Sequence, residues 1–218
     1  MRVARLTVAC CLLAAAVAGC GSGSVGDART TPQALELKAL FADLAEIPRG
    51  FATRSRSGWE EPFKPVVREC RRLFNLISGH PVRKGLTATA TATYLGEGVG
   101  QTAAVSLAVY GSRQAAAQMD ELAKASRKCT TVRDQTAGEV NRLTVAPLAV
   151  SEEVLAGGGI ARRLVGRVGG YPYEMHLIVA REGSAVIGLV NAGMSGPDAR
   201  TTEELAELVS RKVATLDL

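Results

Sequence analysis

The chain has 218 residues, enough for one domain of ordinary size with a short extension. Hydrophobic residues make up 47% and charged residues 22%, near globular averages, which excludes wholesale disorder. Aromatic residues reach only 4% and the formal charge is a scattered +5, so neither a base-stacking platform nor a basic nucleic-acid face is expected.

Residues 1–19 are laid out as an export signal. Arg2 and Arg5 form a positive front, and Leu6 to Val17 is an apolar run of about a dozen residues. That run is too short to cross a hydrocarbon core of about 30 Å as a helix. It ends in Val17-Ala18-Gly19-Cys20, which resembles the lipobox of bacterial lipoproteins. The resemblance implies cleavage before Cys20, a diacylglyceryl thioether on its sulfur, and a protein held at the outer, extracellular face of the cytoplasmic membrane. Val17 stands where Leu is common, and an ordinary export signal with an incidental Cys is the alternative. Cleavage would also remove Arg2 and Arg5, leaving 24 basic against 21 acidic residues.

Residues 20–32 read as the lipidated Cys and a flexible tether spanning roughly 20 Å, and residues 33–218 as the folded domain. The glycines of Gly21-Ser22-Gly23-Ser24-Val25-Gly26 fit a dinucleotide-binding spacing, but no strand precedes them.

Leu37, Leu40, Phe41 and Leu44 recur at helical spacing, predicting a helix over 35–46 closed by Pro48-Arg49-Gly50. A strand is expected over 51–59. Pro62 suits the first turn of a second helix with Val66, Val67, Cys70, Leu73, Phe74 and Ile77 as its apolar stripe, stopped by Gly79. Thr and Ala alternate from Thr87 to Tyr94, a period-two pattern that means strand; Gly96 to Gly100 turns it into a hairpin with 102–110. Ser112 can cap a third helix to about Arg127. Strands follow at about 130–134, 139–146, 160–168, 171–181 and 184–192. Thr201 and Glu204 have capping-box spacing at the head of a last helix. The late run of strands points to an α+β fold, an antiparallel sheet flanked by helices in a single domain.

Of five cysteines, Cys10 and Cys11 lie in the export signal and Cys20 is assigned to lipid. Cys70 and Cys129 remain, an even pair in an oxidising compartment, and are expected to form a disulfide tying the second helix to the exit of the third. With no His nearby in sequence they make a poor zinc site, and no metal or cofactor is expected.

Several of these stretches together resemble the extracellular sensor domain of mycobacterial PknH-type receptor kinases and related actinobacterial sensor lipoproteins. They are the run Leu44-Ala45-Glu46-Ile47-Pro48-Arg49-Gly50-Phe51, Cys70 on a helix before a hairpin, and Tyr110-Gly111-Ser112 opening a helix that ends near Cys129. A hairpin over Ile178 to Ile187 and a closing amphipathic helix complete the set. The resemblance implies an antiparallel sheet flanked by helices, a cleft for an unidentified ligand and no enzymatic activity. Members often carry a second disulfide near the last two strands. This chain has no Cys after Cys129, so no ligand residues carry over.

The two histidines, His80 and His176, are 96 residues apart. Alternation puts Glu174 beside His176 on one strand face, which could be a carboxylate-oriented base or a solvated sheet surface. The Ala88/Ala90/Ala92 face admits either a close helix or a groove. Trp59, His80, Tyr171 and Tyr173 are amphipathic groups near turns, suited to the rim of an interaction site or to ordinary partial burial. With Ala90 and His176 they form the candidate ligand-binding set. Arg162, Arg163 and Arg167 could meet an anionic head group or blunt a sheet edge. The expected function is a lipid-anchored, extracytoplasmic, non-enzymatic domain that binds a small molecule, lipid or envelope component. An envelope adaptor acting through a protein–protein face is the alternative, and a hydrolase the remoter one.

Overall fold

A computed structural model describes residues 32–42, 44–56, 58–136, 139–155, 158–216 and 218. The export signal, Cys20 and the tether to Thr31 lie outside the described residues. The elements are α1 (Pro32–Leu40), α2 (Arg68–Ile77), β1 (Leu86–Leu95), β2 (Thr102–Tyr110), α3 (Ser112–Lys128), β3 (Thr131–Thr136), β4 (Glu139–Pro147), β5 (Ile160–Val168), β6 (Tyr171–Glu182), β7 (Ala185–Gly193) and α4 (Ala199–Ala214).

The strands form one antiparallel sheet in the order β1-β2-β7-β6-β5-β4-β3. The β1–β2 hairpin stands at one end. α3 carries the chain to the far edge, and a five-strand meander returns until β7 pairs with β2. Both faces are covered, so the central strands are apolar on both sides; every residue of β7 is buried. On one face Ala88, Ala92, Val105 and Leu189 pack against Leu37, Phe41, Leu205 and Val209 of the α1 and α4 region. On the other, Ala104, Met175, Leu177 and Val190 pack against Leu73, Phe74 and Met119 of α2 and α3. Each fully buried Leu or Phe contributes roughly 1.5–3 kcal/mol.

The predicted α+β fold with an antiparallel sheet is the observed one. Five local expectations are corrected. α1 stops at Leu40 rather than at 46, because the chain turns back on itself: Leu44 N–H donates to Thr53 O at 2.9 Å and Ser55 N–H to Ala42 O at 3.2 Å. No strand is found among the described residues of 51–59. That segment lies along the β1 edge, touching it through single bridges at Phe51–Gly96 and Arg56–Thr93. α2 starts at Arg68, not near Pro62, because Lys64 and Val66 spend their backbone N–H groups on β3, donating to Asp134 Oδ2 (3.0 Å) and Arg133 O (3.1 Å). The cap of α4 is Asp198, whose carboxylate accepts Thr201 N–H at 2.8 Å, rather than a Thr201–Glu204 box; Glu204 instead pairs with Arg200. Likewise Gly111 is the N-cap of α3 and Ser112 its first residue.

The structure joins Cys70 to Cys129, with Cα atoms 5.0 Å apart and both residues buried. This ties the first turn of α2 to the residue after α3. Closing 59 residues of chain stabilises by about 4 kcal/mol in the chain-entropy account. The paired Cys70→Ser, Cys129→Ser variant should lose about that much in urea unfolding; a loss under about 1 kcal/mol would contradict a structural role for the bond.

Candidate functional site

The C-terminus of α2 sets the site's geometry. Gly79 takes φ +75°, and the backbone closes as a Schellman turn: His80 N–H donates to Asn75 O (2.7 Å) and Gly79 N–H to Leu76 O (3.1 Å). The turn delivers His80 to the edge of β1. A cavity of about 800 Å³ opens there, within the range of small-ligand sites. Thr89, Ala90 and Thr91 of β1 form its floor. Ala34, Lys38 and Ala42 stand on the α1 side, Ser78 to His80 on the α2 side, and Ser55 to Glu61, so far as described, between them.

Thr91 is held tightly. A Cβ on Gly58 would lie 2.7 Å from its Oγ1, and one on Gly79 2.6 Å from its Cγ2. Small residues at both positions let the two walls close on the strand. Trp59 is anchored by stacking on Phe74, centroid to centroid 6.4 Å, and is only 7% exposed, so it presents an edge to the cavity. Ser78 Oγ donates to the Glu61 carboxylate, pinning the loop to the helix end.

The backbone of β1 contributes too. Thr93 and Leu95 turn their carbonyls outward to accept from Arg56 N–H (2.8 Å) and Ala52 N–H (2.9 Å). By strand alternation Thr89 and Thr91 also direct N–H and C=O outward, into the cavity, where no described backbone group meets them. Lys38 and Arg56 on one hand, Glu60 and Glu61 on the other, supply both signs of charge. Trp59, His80 and Ala90, nominated from sequence, therefore share one cavity. Lys38, Arg56, Glu60, Glu61 and the outward backbone of Thr89 and Thr91 were missed; the unusual Thr-Ala edge strand was the one legible signal. Most of the small-residue face is used otherwise, since Ala88 and Ala92 pack directly beneath α1.

Tyr171 and Tyr173 lie elsewhere, at the β5–β6 turn, three strands or more from β1. Tyr171 is 63% exposed, whereas Tyr173 packs against the core and burial pushes its phenol up to about 12. The three arginines of β5 do not blunt an edge, because β5 is an inner strand. Arg163 makes a two-pronged pair with Glu174 at 2.6 and 2.9 Å, and Arg167 donates to Gly170 O.

The face bearing Glu174 and His176 is not solvated. His176 is 2% exposed because α4 covers it, an arrangement that strand alternation alone does not reveal. Its Nε2 lies 3.1 Å from Glu174 Oε1 and its Nδ1 3.0 Å from Thr202 Oγ1. Thr202 Oγ1 donates to Asp198 O (2.9 Å) and accepts from Asn191 Nδ2 (3.0 Å). The carboxylate–imidazole–hydroxyl order has the look of a catalytic relay. The hydroxyl, however, is fully buried and committed to the backbone, and none of these groups lines the β1 cavity. The trio fastens the first turn of α4 to β6 and β7.

Burial holds the His176 imidazole below its ordinary value, against the opposing pull of the Glu174 carboxylate; Arg163 adds to the lowering and Asp198 to the raising. The unfolded chain therefore takes up a proton that the folded chain resists. Stability is full above the ordinary histidine value and falls as pH drops below it. Glu174 and Asp198 are held below their usual values by the Arg163 and Thr201 hydrogen bonds, so they titrate lower still. Unfolding free energy should fall between about pH 7.5 and about pH 5.5, and His176→Gln should flatten that slope. An unchanged slope in the variant would contradict this assignment.

No family model matches the chain, and no curated protein does. Among solved structures, the fold is similar to the crystal structure of the extracellular domain of PknH from Mycobacterium tuberculosis. The TM-score is 0.62 at 15% sequence identity, covering 82% of this chain and 94% of that one. The seven-stranded antiparallel sheet with its helices is thus a fold shared with that domain.

Proposed function

We propose that the chain is a lipid-anchored, extracytoplasmic, sensor-like domain that binds a polar small molecule or envelope component in the cavity at the β1 edge, without catalysis. The observation that carries this reading is the convergence of Trp59, His80 and Ala90, from three separate segments, on one cavity of about 800 Å³. The likeness of the fold to the extracellular domain of PknH supports it, as does the lipobox-like run before Cys20. Among the described residues no helix is long and apolar enough to cross a membrane, and no group of His, Cys, Asp and Glu is suited to a metal ion. Charges of both signs and outward backbone groups favour a ligand with donors and acceptors of both kinds. The same outward groups on β1 would suit an extended peptide, which is the adaptor reading.

A thermal-shift screen against lipids, cell-wall fragments and metabolites tests the proposal. A true ligand at about a hundredfold excess over its Kd should raise Tm by about 5–10 °C, and His80→Ala should diminish the shift. No hit, together with capture of a partner protein by the β1 edge, would favour the adaptor instead. Mass spectrometry of the chain expressed in a lipoprotein-processing bacterium should show a first residue Cys20 carrying diacylglycerol. An uncut chain without fatty acid would overturn the anchoring.

A further inference from the structure

A second cavity, of about 460 Å³, lies between α3 and the β4–β5 connection, remote in sequence from the β1 edge. α3 supplies Met119 and Arg127; the β4–β5 connection and the start of β5 supply Leu148, Leu155, Ile160 and Arg162. Two features of its charge set it apart. The guanidinium of Arg162 is half-buried and lines the same cavity as Arg127, and burial first, then this like charge, lowers its affinity for its proton. Neither arginine forms an ion pair among the described residues. Arg162 donates only to the carbonyl of Ala161, at 2.9 Å. Arg163 is paired with Glu174, and Arg167, like Arg162, makes one bond to a backbone carbonyl; of the three, only Arg162 lines this cavity.

Arg127 sits in the last turn of α3, where a cation is favoured by the helix dipole. That explains Arg127 but not a second, half-buried arginine beside it. Asp120 also lines the cavity, yet pairs with neither. A half-buried cation with a second, exposed one lining the same cavity costs free energy unless an anion accompanies them. Beside them the wall is mixed: Met119, Leu148, Leu155 and Ile160 contribute apolar atoms, and Asp120, Gly158 and Gly159 polar ones.

We propose that this cavity binds a single-chain anionic amphiphile, its carboxylate or phosphate held between Arg127 and Arg162 and its hydrocarbon laid along Met119, Leu148 and Leu155. The site is independent of the β1 cavity and of the function proposed for it. Each guanidinium is a planar fork suited to bidentate oxyanions, and the apolar part of the wall supplies the rest of the affinity.

Titration calorimetry of the full-length chain tests this with dodecanoate and dodecyl phosphate below their micelle concentrations, inorganic phosphate, and uncharged dodecyl maltoside. The two dodecyl anions should bind, inorganic phosphate should bind more weakly, and the maltoside should not bind. Arg162→Gln and Arg127→Gln should each weaken dodecanoate by about tenfold or more. Leu155→Ser should weaken dodecanoate and leave phosphate unchanged. Arg162→Gln should not lower Tm, since it removes a repelled charge, and Arg127→Gln should lower it by no more than a few degrees through the lost helix-end charge; if Arg162→Gln fails to fold, the exposed Arg127→Gln decides. Co-sedimentation with phosphatidylglycerol but not phosphatidylcholine vesicles, lost in both Arg variants, would place the anion on a membrane lipid. Dodecanoate binding without co-sedimentation would place it on a free amphiphile. No binding of either dodecyl anion, equal binding by the Arg variants, or phosphate binding as tight as dodecanoate would overturn the proposal.

Discussion

An open sheet has two edges, and here one stretch of irregular chain attends to both. Residues 41–67 leave α1, run beside β1 as far as the Arg56–Thr93 bridge, then reach β3 through the backbone of Lys64 and Val66. Trp59 and Phe63 hold this crossing to the sheet by gripping Phe74 of α2 from two sides, one stacked and one edge-on at 5.2 Å. This route caps each edge in part: Arg133 O of β3 accepts one backbone bond, Thr93 O and Leu95 O of β1 accept two, and the uncapped portion of β1 is the floor of the cavity. An unsatisfied strand edge is ordinarily a liability for pairing with other chains. Recessing it between α1, α2 and the crossing segment limits what can reach it.

Two clamps keep that recess in place. The Cys70–Cys129 bond fixes the start of α2 beside β3, and the Schellman turn at Gly79 fixes its end over β1. α2 therefore spans the sheet from one edge to the other, and His80 has little freedom in where it emerges. On the opposite face, the His176–Thr202–Asn191 contacts seat the head of α4 against the inner strands. Polar groups buried in this way are costly unless bonded, so they favour one register of α4 on the sheet over others.

Much of this was legible because it depends on short-range pattern. The Thr-Ala alternation of β1, the glycine turns of the meander and the apolar stripes of α2, α3 and α4 each require only local periodicity, and an even cysteine pair needs only counting. What failed depends on which element lies over which. His176 read as solvated because nothing in the strand announces that α4 will cover it. The arginines of β5 read as edge protection because strand order is not written in any single strand. Residues 51–59 have strand-like composition but donate to β1 only at intervals, since the turn after Leu40 draws Thr53 and Ser55 back towards α1. Asp198 was passed over for Thr201, although an Asp directly after Pro197 is itself a good helix-start signal. The cavity's charged residues come from α1 and the crossing segment, and only the tertiary fold brings them to β1.

Residue-resolved amide hydrogen exchange along β1 tests the central claim most directly. The account predicts rapid exchange at Thr89 and Thr91, whose N–H groups point into the cavity, beside slow exchange at Ala90 and Ala92, which face β2. Equally slow exchange at all four would mean that the edge is already paired and that no recess for a ligand exists there.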